Sequence, residues 1–143
     1  MKKSSLLVIV QFSCIGYFVL FNGVLPNHLA LIFLEGMGVF IGLWAIQVMG
    51  MLNLTIFPEP KSTSTLLERG PYRWVRHPMY TAVIAVCLAL ALDAPSWLDI
   101  LVLVILIINQ WIKLRYEEGL LEQRFETYSS YKQRTKALIP FIL

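Results

Sequence analysis

The stretch GPYRWVRHPMYTAVIAVCLALAL, residues 70–92, holds its polar chemistry in the first eleven positions and then turns wholly apolar. A residue before proline is pushed out of the helical region, and proline is favoured in the first helical turn. Pro78 therefore starts a helix and His77 sits at its cap. The first turn of such a helix offers backbone N–H groups and a positive dipole end, an anion site beside which Arg73 and Arg76 add full charges. Tyr80, about one turn in, places a hydroxyl or a ring face at the same mouth. Arg, His and Tyr near a helix end also serve as plain anchors to lipid headgroups, and this stretch alone does not separate the two roles.

The rest of the chain places that helix in a membrane. The 143 residues are 57% hydrophobic and 15% charged, with a mean hydropathy of +0.67, against about 25% charged in soluble domains. Hydropathy predicts one all-α, polytopic membrane domain over residues 1–143 with about four transmembrane helices. Residues 1–57 hold two spans: residues 6–25, broken by Pro26-Asn27-His28, and residues 29–57, ended by Pro58-Glu59-Pro60. Residues 6–25 are longer than the apolar core of a cleavable signal and are expected to stay attached. Residues 79–92 and 97–112 make two shorter spans joined by Asp93-Ala94-Pro95-Ser96, and a C-terminal amphipathic helix follows.

All twelve Lys and Arg fall before the first span, between the second and third, or after the fourth. By the positive-inside rule both termini and the Arg76-His77-Pro78 loop are cytoplasmic, in an inner or plasma membrane. The net charge of +3 is thus a one-sided membrane distribution that also greets anionic headgroups, and no nucleic-acid footprint. Cys14 and Cys87 lie singly in apolar runs and read as small buried hydrophobes, with no metal expected. There is no internal repeat and no Gly-rich phosphate loop.

Beyond residue 112 the chain reads KLRYEEGLLEQRFETYSSYKQRTKALIPFIL. On a continuing helix Lys113 lies four residues before Glu117, and Arg115 three before Glu118, so each carboxylate has a cation on its own face. Leu114, Leu121 and Phe125, with Leu120 beside them, line an apolar stripe suited to the membrane interface. Tyr128, Tyr131, Lys132 and Arg134 form a second aromatic and charged cluster, and the two polar clusters are expected to close over one cavity. Glu35, inside the second span, is expected near the outer interface. Gln47, Asn53, Asn109 and Gln110 are expected to bond between helices, while Gly36, Gly38 and Gly42 admit a neighbouring helix.

At GPYRWVRHPMY, EEGLL, FETYSSYKQR and LIPFI the sequence resembles the isoprenylcysteine carboxyl methyltransferases and related membrane phospholipid methyltransferases. The likeness runs from Gly70 to Ile142 and makes residues 58–143 a methyltransferase-like region. It implies methyl transfer from S-adenosyl-L-methionine to a lipidic or prenylated acceptor, a carboxylate in the isoprenylcysteine case, with membrane lipids as partners. It assigns Tyr72, Arg76, His77, Pro78, Tyr80, Tyr128 and Tyr131 to the cofactor. Arg115, or failing it Arg76, is expected to orient the acceptor carboxylate, with Glu117 and Glu118 holding that cation; with an amine acceptor, one glutamate takes its proton. RFETY lacks the glycine that the family usually carries before the tyrosine. The alternatives are an NADPH-dependent reductase related to membrane sterol reductases, whose cofactor phosphates also suit Arg73 and Arg76, and a non-catalytic membrane subunit.

Overall fold

The computed structural model describes residues 3–139; most of the LIPFI motif, from Pro140 on, lies outside them. The described residues form helices joined by turns, with one isolated bridge and no strand. Helix α1 spans Lys3–Phe21, α2 Leu29–Asn53, α3 Pro78–Asp93, α4 Trp97–Arg124 and α5 Tyr128–Arg134, with a 3-10 turn at Gly70–Arg73 before α3. Helices α1, α2 and α4 are long and apolar enough to cross a membrane, and α3 is a shorter apolar helix of 16 residues. Large apolar side chains on the outside of these helices, among them Leu20, Leu29, Phe33, Phe40 and Trp97, are exposed, as surfaces that meet lipid rather than water are. This is a polytopic all-α membrane protein.

Lipid tails are as apolar as leucine, so helices in a bilayer associate through close packing rather than by escaping water. The α2–α3 contact follows that rule and is the most extensive in the molecule. A Cβ added at Gly38 would lie 3.1 Å from the Ala85 Cβ and 3.2 Å from the Ala82 carbonyl oxygen, and one at Gly42 3.2 Å from the Ala82 Cβ. Gly36 faces open space instead. A second seam joins α1, α3 and α4 through Cys14, Phe18, Cys87, Leu90, Leu103 and Leu106, with both cysteines free and buried. Among the described residues, helices α1 and α2 make no such seam with each other.

Three boundaries differ from those expected. The first span ends at Phe21, four residues early, because Gly23 turns the chain at φ 85°. The second leaves helical geometry at Gly50 (φ 65°) and ends at Asn53 rather than at the prolines. Asn53 then accepts from the Thr65 N–H at 2.9 Å and pins the following loop. The fourth span does not stop at Ile112: α4 runs unbroken for 28 residues, and the expected amphipathic helix is its last turns. Its apolar stripe faces inward, not along the interface; Leu114 is 1% exposed and packs against Ala137, Leu138, Tyr80 and Ile84. Ser96 and Asp99 start α4 with a reciprocal capping box.

The two ends of the bundle are chemically distinct. At one, Asp93 accepts from the backbone and side chain of Asn27 at 2.7 Å and from the His28 N–H at 3.2 Å. At the other, the Lys3 ammonium lies over the Tyr116 ring and Arg124 reaches the Ser62 carbonyl, so the basic segments share one end. Asn109 donates across helices to the Leu7 carbonyl at 3.0 Å. Glu35, expected at an interface, is buried instead, with one carboxylate oxygen free of hydrogen bonds.

The α2–α3 seam makes a specific prediction. Gly38→Val should destabilise the folded protein by about 1–3 kcal/mol through overpacking against a backbone carbonyl, whereas Gly36→Ala should shift stability by no more than about 0.5 kcal/mol. Thermal unfolding in detergent, followed by circular dichroism, compares the two.

Candidate active site

The chain enters α3 with His77 as N-cap and Pro78 in the first turn. The amides of Tyr80 and Thr81 both turn back to the His77 carbonyl, which narrows the anion site expected at this helix start. The segment before it runs parallel to the chain that leaves α5: the Arg76 N–H donates to the Lys136 carbonyl at 2.8 Å, the His77 N–H to that of Ala137 at 3.1 Å, and the Lys136 N–H to that of Trp74 at 3.1 Å. This short ladder sets α5 beside the RHP turn.

Charge then locks the corner. The Arg76 Nε donates to the Glu118 Oε1 at 2.6 Å, and its Nη1 reaches the carbonyls of Lys132 and Thr135. The Lys132 ammonium lies 3.1 Å from the other Glu118 oxygen and 2.7 Å from Glu122; its hydrogen bond to Glu122, together with Glu118, raises its pKa. The His77 Nε2 sits 3.5 Å from Glu118 but makes no hydrogen bond. Glu118, 2% exposed, is thus a buried carboxylate satisfied by two cations. Removing one member of such a pair strands the other in a dry site, at a cost of about 3–5 kcal/mol.

Glu117, its neighbour, points elsewhere. Successive helical residues are about 100° apart, and Glu117 faces a half-open cavity of about 450 Å³ lined by all five helices and the loop after α2. At one end of that cavity stand Tyr72, His77, Tyr80, Glu117, Tyr128 and Tyr131; towards the membrane stand Phe12, Ile15, Ile46, Met49 and Val83. The Tyr80 hydroxyl donates to the Glu117 Oε2 at 2.5 Å, and the His77 ring stacks on Tyr80 with centroids 5.2 Å apart. The Tyr131 hydroxyl donates to the Tyr72 carbonyl at 2.6 Å. The hydroxyls of Tyr72 and Tyr128 are buried with no hydrogen-bond partner, although both residues line the cavity. Burial, with Glu117 near Tyr72 and Glu118 near Tyr128, raises these phenol pKa values well above 10.0; burial does the same for Tyr131.

The structure therefore gathers Tyr72, Arg76, His77, Pro78, Tyr80, Glu117, Tyr128 and Tyr131 around one space, with Glu118 behind Arg76. Tyr128 reaches it without the glycine that the FETY segment lacks. Arg115 does not: it is exposed, its guanidinium 4.8 Å above the Trp111 ring and outside the cavity. Arg73 is likewise exposed, over Trp74. The cation that replaces Arg115 in the cavity is Lys113, whose ammonium lies 5.1 Å above the Tyr80 ring and donates to the Gln11 Oε1 at 2.8 Å. Lys113 was legible as the partner of Glu117 on one helix face. Gln11, a lone amide in an apolar span, carried only the general signal that polar groups inside membranes are functional.

Residues 27–128 match the phospholipid methyltransferase family, from the start of α2 to the first residue of α5. The chain belongs to that family. No curated protein and no solved structure matches it. The matched region contains most of the cavity wall, including Tyr72, the RHP turn, Lys113 and Glu117; the α1 contribution and Tyr131 lie beyond it. Membership makes this phospholipid methyltransferase relative an integral membrane methyltransferase that acts on lipid-like substrates.

The buried phenols give the site a pH signature. In the unfolded chain Tyr72, Tyr128 and Tyr131 ionise near 10.0, while the folded protein holds them neutral to higher pH. Their contribution to stability is complete below pH 10 and falls away as pH climbs through and beyond that value. A tyrosinate absorbance titration should show these three ionising late, in step with loss of the fold, whereas each Tyr→Phe variant should remove one late-titrating group.

Proposed function

We propose that the protein transfers a methyl group from S-adenosyl-L-methionine to an amphiphilic acceptor that reaches the cavity from the bilayer. The observation that carries this reading is one cavity with a carboxylate and four tyrosines at its polar end and an apolar end between α1 and α2, helices with no extensive contact between them among the described residues. When bound, the cofactor supplies an electrophilic methyl carbon on a sulfonium whose charge disappears on transfer. The residues present fit it. Among the described residues Glu117 is the only acidic one on the cavity wall and suits a cation, aromatic rings stack on a flat heterocycle and on positive charge, and the unpartnered Tyr72 and Tyr128 hydroxyls are ready for a polar ligand. Tyr72, His77, Tyr80, Tyr128 and Tyr131 would hold the group, with Pro78 shaping the wall.

The same wall speaks against a dinucleotide. Arg76 is taken up by Glu118 and two carbonyls, and Arg73 lies outside. Phosphates would meet Glu117, with a single ammonium, Lys113, set against them and no guanidinium to spare among the described residues. By the one-sided charge distribution, the basic end and its cavity face the cytoplasm.

Lys113 supports a carboxylate acceptor. Its ammonium makes one hydrogen bond to Gln11 and keeps donors for a second oxygen at the cavity wall. Opposite charges then vanish together on transfer, which a dry cavity favours by excluding the water that stabilises separated ions. Holding nucleophile and methyl carbon in line contributes about 7–11 kcal/mol at most. Glu117 supports a second reading, an amine acceptor such as a phospholipid headgroup, because its carboxylate is open to the cavity and able to take the amine proton.

Incubation of the protein in nanodiscs with methyl-labelled cofactor and a total lipid extract tests the proposal. Label released by base as volatile methanol marks a methyl ester; label that stays non-volatile, on the amine headgroup, marks N-methylation. Lys113→Gln should cut ester formation by about tenfold or more, the loss of one charge-assisted bond, while Arg115→Gln should leave it unchanged. Absence of labelled lipid, with consumption of NADPH instead, would overturn the assignment.

A further inference from the structure

Behind Tyr131, on the side away from the active-site cavity, lies a second cleft of about 450 Å³. Arg69, Arg73 and Arg134 line it against a single carboxylate, Glu68, which pairs with Arg134 at 3.1 Å. Neither Arg69 nor Arg73 meets a carboxylate among the described residues. The cleft is therefore positive and stands open at the basic end of the bundle.

An aromatic path leads from it to the lipid-facing surface. The Arg73 guanidinium lies 5.0 Å above the Trp74 ring, Trp74 is 6.0 Å from Trp44, and Trp44 is 6.1 Å from Phe40 one turn further into α2. Trp74 is 44% exposed and Phe40 64%. The turn that carries the arginines is pressed onto α2 at this level: Gly70 adopts φ +59°, and a Cβ there would lie 2.6 Å from Val48. A polar, positive head site thus continues into an exposed apolar strip on a membrane-spanning helix.

We propose that this surface is a seat for an anionic glycerophospholipid, its phosphate among Arg69, Arg73 and Arg134 and one acyl chain along Trp74, Trp44 and Phe40. Charge complementarity selects the occupant. Guanidinium forks match phosphate oxygens, and a headgroup with net negative charge gains over a zwitterionic one, whose ammonium meets three guanidiniums. Trp74 lies outside the spanning helices at the basic end, a place that suits an indole ring between headgroup and hydrocarbon, and Trp44 lies within α2. The seat is separate from the methyl-transfer cavity and shares only Tyr131 with it.

The full chain carrying Trp44→Phe, Trp97→Phe and Trp111→Phe leaves Trp74 as the reporter. In nanodiscs, phosphatidylglycerol brominated on its acyl chains should half-quench Trp74 at a mole fraction roughly fivefold below that required of brominated phosphatidylcholine. Adding Arg69→Gln, Arg73→Gln and Arg134→Gln should bring the two curves together. A chain with Trp111 as its single tryptophan and Arg115→Gln, which removes the guanidinium over that ring, reports general enrichment of anionic lipid near the same basic end and should show little preference. Coincident curves for the two lipids at Trp74 overturn the proposal, as does an equal preference at Trp111. Inorganic phosphate that perturbs Trp74 while the lipid curves coincide marks a free-anion site and overturns it as well.

Discussion

One guanidinium organises the basic end of this protein. Arg76, at the approach to α3, binds Glu118 near the end of α4 and the carbonyls of Lys132 and Thr135 around α5, so a single planar group joins three segments far apart in sequence. The planar fork suits this task because its donors leave in fixed directions. The arrangement also sets the division of labour between two adjacent glutamates. Once Glu118 is turned inward to meet Arg76, helical geometry swings Glu117 onto the cavity wall, where Tyr80 meets it. The acidic pair is one structural anchor and one accessible carboxylate.

Hydropathy and proline placement made the helices and the cap at His77 legible, since both depend on local chemistry. The end of α4 was not. Lys113 marks the point where charge begins, and a rule that ends a span at the first charge ends it there; yet the ammonium is buried against Gln11, about a hundred positions earlier in the chain. Spacing along the helix offered Lys113 and Arg115 equally as partners for the two glutamates. Which of them turns inward depends on how α4 is rotated against α1 and α3, and a helix apolar on nearly every side carries little record of that rotation. The C-terminal stripe of Leu114 and Leu121 misled for the same reason: a stripe shows that a face is covered, not whether lipid or protein covers it.

The packing divides the bundle into a tight and a loose part. Glycines 38 and 42 bring α2 against the alanines of α3, and α1 leans on α4 through larger side chains. The pair left without a seam, α1 and α2, flanks the apolar end of the cavity. The apolar part of the cavity wall is thus the part with the fewest packing contacts across it.

The unbroken length of α4 has a consequence for depth. At 1.5 Å per residue its 28 residues extend about 42 Å, beyond an oily layer of about 30 Å. Counted from Trp97, the helix emerges after roughly twenty residues, close to Glu117. The carboxylate is therefore stationed at the waterline. For the proposed acceptor, with a greasy tail and a polar head that already floats at that level, the route to Glu117 is a sideways slide, with no lift out of the sheet and no drag down into it.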